Sequence, residues 1–356
     1  MRGNWRGGPG MATVDVTVRG AGVFGLASAW ALVLRGLRVR VVDPGGPGAG
    51  ASGGVTGALA PHVPEAWNAL KAFQFDSLIA AEGFWREVEA ASGLPTGYAR
   101  AGRLLPLADD AAVARARERE AEAETHWRGL AAWQVVPAAG AGWELPSGSG
   151  WQVRDTLSAR INPRAAVAAL VAALRGRDVA IVAEAADEGM VLHATGAAGL
   201  ADLGRALGQQ VGRGVKGQAA VLSHAAPDAP QLFGGGLYLV PHADGTTAVG
   251  ATDEPDATEP GCDGKLEALI ERAGRLVPAL AGAPVLVRWA GWRPRTNSRA
   301  PMLGAWPGRA GHFVANGGFK TGFGMAPGVA LLIADLLATG VDRIPDGFRV
   351  GDSLRG

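Results

Sequence analysis

Cysteine is nearly absent from this sequence: Cys262 stands alone in 356 residues. One thiol excludes an intramolecular disulfide and any metal site built from several cysteines. A cytoplasmic location is the simplest expectation. No run of eighteen or more purely apolar residues occurs, so no membrane-spanning helix is predicted. An excess of one charge is also missing: 34 basic residues face 33 acidic ones, a formal net charge of +1. Phosphate neutralisation needs clustered Lys and Arg, and lysines are few, so no nucleic-acid partner is expected. The opening residues MRGNWRGGPG are positively charged but no apolar stretch follows them. Residues 1–12 therefore read as a flexible extension and not as a signal peptide. No cluster of metal-ligating residues stands out, so no metal is expected.

Hydrophobic residues make up 48% of the chain, enough for a large core, and the length allows two domains. A short β-branched strand covers Thr13–Val18, an apolar helical run covers Leu26–Leu34, Gly36 ends the helix, and a second strand covers Val39–Val42. Further helices are expected over 65–92, 109–130, 163–175, 264–280 and 325–338. Asn162-Pro163 supplies a cap and a first-turn proline for the third of these. The charges of residues 109–130 read as a solvated face. Strands are expected near 179–182, 190–194, 211–223, 285–293 and 312–316. Tyr238 to Gly250 reads as a hairpin turning at Asp244-Gly245.

The strand–turn–helix at the start carries Gly20-x-Gly22-x-x-Gly25, with Val23 and Phe24 between the last two glycines and Asp43 closing the second strand. This is the dinucleotide fingerprint in its proper context. The first glycine permits the tight turn, the second lets the backbone approach a pyrophosphate, and the third lets helix and sheet pack closely. The helix N-terminus then offers free N–H groups to the phosphate charge, and Asp43 can accept from ribose hydroxyls. The fingerprint alone does not separate NAD from FAD.

The segment Gly50-Ala51-Ser52-Gly53-Gly54-Val55-Thr56-Gly57-Ala58-Leu59-Ala60-Pro61 resembles the loop after the second strand in the D-amino-acid-oxidase superfamily of flavoproteins, which includes glycine and sarcosine oxidases. Three more segments resemble that family in the same order. They are Val191 to Gly196 with its Ala-Thr195-Gly196 turn, Gly291-Trp-Arg-Pro-Arg-Thr296 with Pro301 to Gly304, and Phe313 to Gly322. The resemblance spans residues 13–340. It implies an α/β fold: a Rossmann-like FAD domain from 13–61, 155–220 and 305–345, and a β-sheet-rich substrate domain from 65–150 and 221–304. One departure is a shortened stretch, Asp178–Val191, which in the family usually carries a small hairpin.

The resemblance also implies the site. FAD would be held by Gly20, Gly22, Val23, Phe24, Gly25, Asp43, Ala51, Ser52, Gly57, Thr195 and Gly196. The closing segment adds Gly317, Gly318, Phe319, Lys320, Thr321 and Gly322. Backbone N–H groups and a helix N-terminus there suit the charge that appears near the flavin N1–C2=O edge on reduction. No cysteine falls in the Arg293–Gly304 region, where some sarcosine oxidases attach their flavin, so non-covalent FAD is expected. Arg293 is the expected anchor of a substrate carboxylate, through a two-pronged salt bridge suited to a guanidinium. Arg295 is a weaker candidate, and Tyr238 is expected to bind or screen the substrate. His62 follows the cofactor loop and is placed to approach the site. His242, beside the turn, is expected at the surface, and the other histidines carry no role. No base stands out, and none is required if the amine arrives neutral.

These readings converge on hydride transfer from an amine or amino-acid carbon to the flavin, with oxygen or another acceptor taking the electrons. Two alternatives stay open: amine oxidation on a larger substrate such as a modified tRNA base, and a FAD-holding subunit without a substrate site.

Overall fold

The computed structural model describes residues 14–354. The expected extension at 1–12 lies outside them, as does Thr13, where the first strand was expected to begin. In chain order the strands are β1 (Val16–Arg19), β2 (Val39–Val42), β3 (Ala58–Leu59), β4 (Arg103–Pro106), β5 (Trp133–Pro137), β6 (Trp151–Asp155), β7 (Ala159–Arg160), β8 (Ala180–Val182), β9 (Met190–His193), β10 (Gly212–Leu222), β11 (Gln231–Gly234), β12 (Leu237–Pro241), β13 (Thr247–Gly250), β14 (Val285–Thr296), β15 (Met302–Ala305) and β16 (His312–Asn316). The helices are α1 (Val23–Leu34), α2 (Ala69–Ser92), α3 (Asp110–His126), α4 (Pro163–Arg175), α5 (Gly196–Leu207), α6 (Gly264–Leu276) and α7 (Gly322–Thr339).

Two sheets organise the molecule. In the first, β8, β2 and β1 pair in parallel, as do β9 and β16, with β15 antiparallel at the end. Met190 N–H donates to Asp15 O and Ala194 N–H to Arg19 O, which brings β9 alongside β1 and joins the halves. Strands covered on both faces need apolar residues throughout, and Val16, Val18, Val41 and Leu192 are all buried. Helix α1 is buried almost all round, so it is a core helix and not a surface one. It packs with α2, α4 and α7 through Trp30, Phe75, Leu78, Trp85, Leu170 and Ile333. Helix α7 is long and apolar enough to cross a membrane by length and composition alone, although Asp335 interrupts its apolar residues. Here its Val329, Ala330, Ile333 and Ala334 are buried in this core.

The second sheet has eight strands in the order β14-β10-β13-β12-β11-β4-β6-β5. One face packs Leu222, Leu232, Leu237, Leu239 and Val249 against Ala273 of α6, with Val277 and Leu280 beyond it. The opposite face is read off the register. Phe233, Tyr238, Gly250, Ala219 and Trp289 stand directly opposite one another across five strands. Gly217 faces Gly291 in the next row, and Val215 faces Arg293 in the one after. Small residues in the middle of these rows leave a hollow bounded by aromatics and an arginine.

Several sequence boundaries shift. Helix α7 begins at Gly322, not 325, so Pro327 sits in its second turn, and Ser77 Oγ donates to Gly324 O and accepts from Gly328 N–H there. Strands β4, β5 and β6 lie between the expected helices, in stretches where no element was expected. Strand β10, assigned to the cofactor domain, belongs to the second sheet. Helix α2, assigned to the substrate domain, packs on α7 in the cofactor core.

Candidate active site

A cleft of ≈ 1280 Å³ runs between the two sheets. That exceeds the roughly 300–1,000 Å³ of ordinary ligand pockets, so it has room for a cofactor and a small molecule together. Its long arm begins at the fingerprint. Gly20 has φ +106°, and a Cβ there would lie 2.2 Å from Ala194 O; at Gly25 a Cβ would lie 1.9 Å from Gly20 O. Both positions bring backbone against backbone. Gly22 differs, because a Cβ there would meet only Ser52 Oγ, at 3.2 Å, and otherwise the open cleft. Asp43 holds the turn: its Oδ2 accepts from Ala21 N–H at 2.7 Å and its Oδ1 from Gly45 N–H at 2.9 Å. Each oxygen keeps a second lone pair for a ribose hydroxyl.

The helix caps make the strongest case for a large anionic guest. Among the described residues, α2, α3, α4 and α6 are each capped by a side chain, from Asn68, Asp109, Asn162 and Asp263. Helices α1, α5 and α7 have no side-chain bond at their N-cap residues Gly22, Thr195 and Thr321 and no acid in the first turn. Those three N-cap residues all line the cleft. Only Val23 N–H is taken, by Ser52 Oγ at 2.9 Å. Uncapped N–H groups and a positive helix end attract anions. The residues therefore fit a dinucleotide, whose phosphates the free N–H groups of these helices would hold.

Of the expected cofactor residues, Gly20, Gly22, Val23, Phe24, Asp43, Ala51, Ser52, Gly57, Thr195, Gly196, Gly318, Phe319, Lys320, Thr321 and Gly322 line the cleft. Gly25 and Gly317 stand behind its wall. Phe319 has φ 42°, unusual for a bulky residue, and its N–H donates to Pro294 O at 3.0 Å. Three cations surround its ring: Arg293, Arg295 and Lys320 lie 5.6, 5.7 and 5.3 Å from the centroid. Lys320 Nζ also pairs with Asp253 at 2.6 Å.

At the far end of the cleft, Arg293 is 9% exposed. Its Nη2 donates to Thr252 O at 2.5 Å and to Lys216 O at 3.3 Å, and its Nε is buried without a partner. The nearest carboxylate, Asp253, is 3.7 Å away and half exposed. Burial presses the guanidinium pKa down, and Asp253 and Glu254 oppose that pressure. The result is a buried cation with an unspent donor. One end of the guanidinium is occupied by backbone, so the expected two-pronged contact requires Nη2 to share or release a carbonyl.

Tyr238 lines the same end. Its hydroxyl accepts from Arg103 Nη1 at 3.2 Å, which leaves its own proton free to donate. Burial alone would lower the Arg103 pKa; Asp155, whose Oδ2 is 2.7 Å from Nε, and Tyr238 outweigh it. Ser158 completes the shell by donating its N–H and Oγ–H to Asp155. Arg103 is thus neutralised in place, whereas Arg293 is not, so Arg293 is the arginine with charge to offer a ligand.

His62 also lines the cleft, and Gln74 backs it. Gln74 Oε1 accepts from His62 backbone N–H at 2.7 Å and lies 2.5 Å from His62 Nδ1. His62 is open to the cleft while protein packs behind it, and burial lowers its pKa. His242, expected at the surface, is buried: Val55 of the cofactor loop covers it and accepts from its Nε2 at 3.1 Å. At the opposite end, His193, Trp306 and Arg309 line the cleft, although the sequence singled out none of them. Cys262 is free and exposed, away from the cleft. Among the described residues no three His, Cys, Asp or Glu side chains gather to hold a metal.

A model of the FAD-dependent oxidoreductase family matches residues 15–336. The glycine oxidase of Geobacillus kaustophilus is 28% identical over 91% of this chain and 92% of its own length. The bifunctional protein ThiO/ThiG of Trichormus variabilis is 29% identical over 91% of this chain. The chain spans about half, 53%, of that relative's length. The crystal structure of the Geobacillus kaustophilus glycine oxidase superposes with a TM-score of 0.81 at 23% identity, over 95% of this chain and 98% of that one.

Proposed function

Because the chain belongs to the DAO family of FAD-dependent oxidoreductases, we propose that it oxidises the carbon–nitrogen bond of an amino acid or related small amine, using non-covalent FAD. The observation that carries this reading is Arg293: a buried guanidinium without a close carboxylate partner, lining the same cleft as three helix N-termini that have no side-chain bond at their N-cap residues. A small carboxylate would balance that charge. The names of the relatives, glycine oxidase among them, favour the same class of substrate.

FAD, when bound, supplies the acceptor for a hydride leaving the carbon that bears nitrogen. The chain positions the partners. The α1 N-terminus and Asp43 would hold the nucleotide end, and the α7 N-terminus would supply positive potential suited to the negative charge that reduction places on the flavin. Arg293 fixes the substrate carboxylate and Tyr238 donates a second hydrogen bond to it. Phe233, Trp289 and Phe319 wall the hollow and exclude water, which strengthens both contacts. Oxygen or another acceptor reoxidises the cofactor. The free, exposed Cys262 suits a cytoplasmic location. An open hollow beside Arg293 is what a non-catalytic FAD carrier would lack, and it favours the enzyme reading.

The test is a visible spectrum of the purified protein followed by an anaerobic bleaching screen over amino acids and their decarboxylated amines. Yellow protein, colour released by acid, and faster bleaching by the acids are expected. A colourless protein that binds only NAD, or preference for the amines, would overturn the reading.

A further inference from the structure

We propose that His62 is a catalytic residue: its Nε2 accepts the ammonium proton of the incoming substrate. The inference rests on reading the cleft as an amine-oxidising site. It begins with Gln74, which is 2% exposed on α2. His62 backbone N–H can only donate, and it meets Gln74 Oε1 at 2.7 Å. The other end of the amide, Nε2, donates to Ala60 O at 3.3 Å. Two backbone groups of opposite character therefore fix which end of the amide is oxygen. His62 Nδ1 lies 2.5 Å from that oxygen, so Nδ1 carries the hydrogen. In a neutral imidazole the lone pair then sits on Nε2. Among the described residues no hydrogen-bond partner meets that atom, and the His62 side chain is exposed. It is open to the cleft that Arg293 and Tyr238 also line.

The surroundings keep the ring neutral. Burial lowers the His62 pKa, the Gln74 hydrogen bond opposes this, and the charge of Lys71 lowers it further. Lys71 Nζ is held on Glu65 O, and the Glu65 carboxylate is spent on Arg119, 2.7 and 2.8 Å away. The charged residues that share the cleft lining are Arg19, Asp43, Asp202, Arg293, Arg309 and Lys320, with Lys320 paired to Asp253. A neutral base facing a cationic amine is the productive pairing.

The step balances simply. The ammonium N–H bond breaks and an Nε2–H bond forms, leaving the nitrogen lone pair on the substrate. That lone pair then drives out the hydride, whose two electrons FAD would accept when bound, and the product is the iminium ion, which water hydrolyses. His62 returns its proton to water through the open side of the cleft.

The experiment compares kcat/KM against pH for wild type and His62→Gln on the amino acid that bleaches the flavin fastest. Wild type should be flat between the His62 pKa and the substrate ammonium pKa, which is about 10 for an alkylamine. The variant should rise about tenfold per pH unit and meet wild type near pH 10. Its deficit at pH 7 should be on the order of 10²–10³-fold. Gln74→Glu places a carboxylate on Nδ1 and should move the acid limb to higher pH. Nitrogen-15 NMR of histidine-labelled protein should show Nδ1 protonated and Nε2 bare at pH 7, the His62 signals being assigned by their loss in the variant. The proposal fails if the His62→Gln profile parallels wild type, or if the variant keeps its flavin yet stays slow at pH 10. Should His62→Gln not fold, an unmoved limb in Gln74→Glu or a protonated Nε2 overturns it equally. Failure of wild type to bleach with any amino acid is a different result: it removes the underlying reading.

Discussion

Gly217 of β10 lies directly beneath the guanidinium of Arg293 of β14: a Cβ there would stand 2.4 Å from Cζ and Nη2. The arginine rests on a position that must lack a side chain. Backbone strain is not the reason, since Gly217 has no positive φ. The predicted consequence of Gly217→Ala is a displaced guanidinium in an otherwise intact protein. A misplacement of about 1 Å costs roughly 10²-fold in rate. Steady-state kinetics should show that fall in kcat/KM for the amino acid, with the flavin absorbance per mole unchanged. Loss of flavin with the activity would place Gly217 in the cofactor site instead.

Arg293→Ala removes the proposed carboxylate anchor itself. Truncating one partner of a buried charge pair costs roughly 2–5 kcal/mol, a fall of about thirty-fold to several thousand-fold in kcat/KM. Arg293→Lys should recover only part, because a single ammonium cannot hold backbone carbonyls and a carboxylate with a planar fork. Each variant should be run on an amino acid beside its decarboxylated amine. An undiminished preference for the acid in Arg293→Ala would show that the carboxylate is bound elsewhere.

Gly22→Val tests the nucleotide end. The only neighbour its Cβ meets is Ser52 Oγ, so the valine methyls would project into the cleft between the α1 N-terminus and the pyrophosphate. A soluble, colourless protein is expected on purification. Full flavin content would show that the phosphates are not at this turn.

What was legible in the sequence was local. Gly20, Gly22, Gly25 and Asp43 lie within one βαβ unit, and each answers to a constraint set by near neighbours. Asn162-Pro163 marks the start of α4 for the same reason. Strands β4 and β5 were hidden because each ends in proline, which argues against a strand by itself; β5 is in fact an edge strand, and the proline of β4 is its last residue. The Arg103–Asp155 pair and its contact to Tyr238 join residues 52 and 135 apart, beyond any periodicity. His242 sits two residues before the turn at Asp244 and so read as exposed. Its cover is Val55, 187 residues away. Arg293 was found by resemblance, yet its support, Gly217, lies on another strand 76 positions earlier and carries no local signal. His62 lay beside a recognised loop, but its tautomer depends on Gln74, which only the fold brings back to it.

The Arg103–Asp155 pair predicts a stability effect. Both side chains are almost wholly buried, so Asp155→Ala leaves a guanidinium without compensation. Breaking a buried pair this way costs roughly 3–5 kcal/mol, to be read from the denaturant midpoint. Replacing both, as Arg103→Met with Asp155→Leu, should restore much of that stability while KM stays raised, because Tyr238 has lost the donor that orients its hydroxyl. A double variant as unstable as the single one would show that packing, and not the stranded charge, sets the loss.

Acid should act on the histidine pair at the end of the cleft opposite Arg293. His193 Nε2 lies 3.0 Å from His312 Nδ1. Burial, reinforced by His312 and Arg309, pushes the His193 pKa down to about 4. Its folded value is therefore depressed below the ordinary 6.5. Above pH 6.5 the ring is neutral in both states and contributes nothing to pH dependence. Between 6.5 and about 4 the unfolded chain binds a proton that the folded one refuses, so stability falls with pH. Below about 4 both states are protonated and the loss is complete. The full shift corresponds to at most ~3 kcal/mol, and water on the cleft side of the ring brings that to ~1–2 kcal/mol. His62 and His242 are also depressed and share the window, so the comparison must be with His193→Gln alone. Urea unfolding of the apoprotein at pH 7.5, 5.5 and 4 should show the variant losing ~1–2 kcal/mol less than wild type across that range. Parallel curves would mean that His193 is protonated as easily in the fold as outside it, and that the imidazole pair is open to solvent.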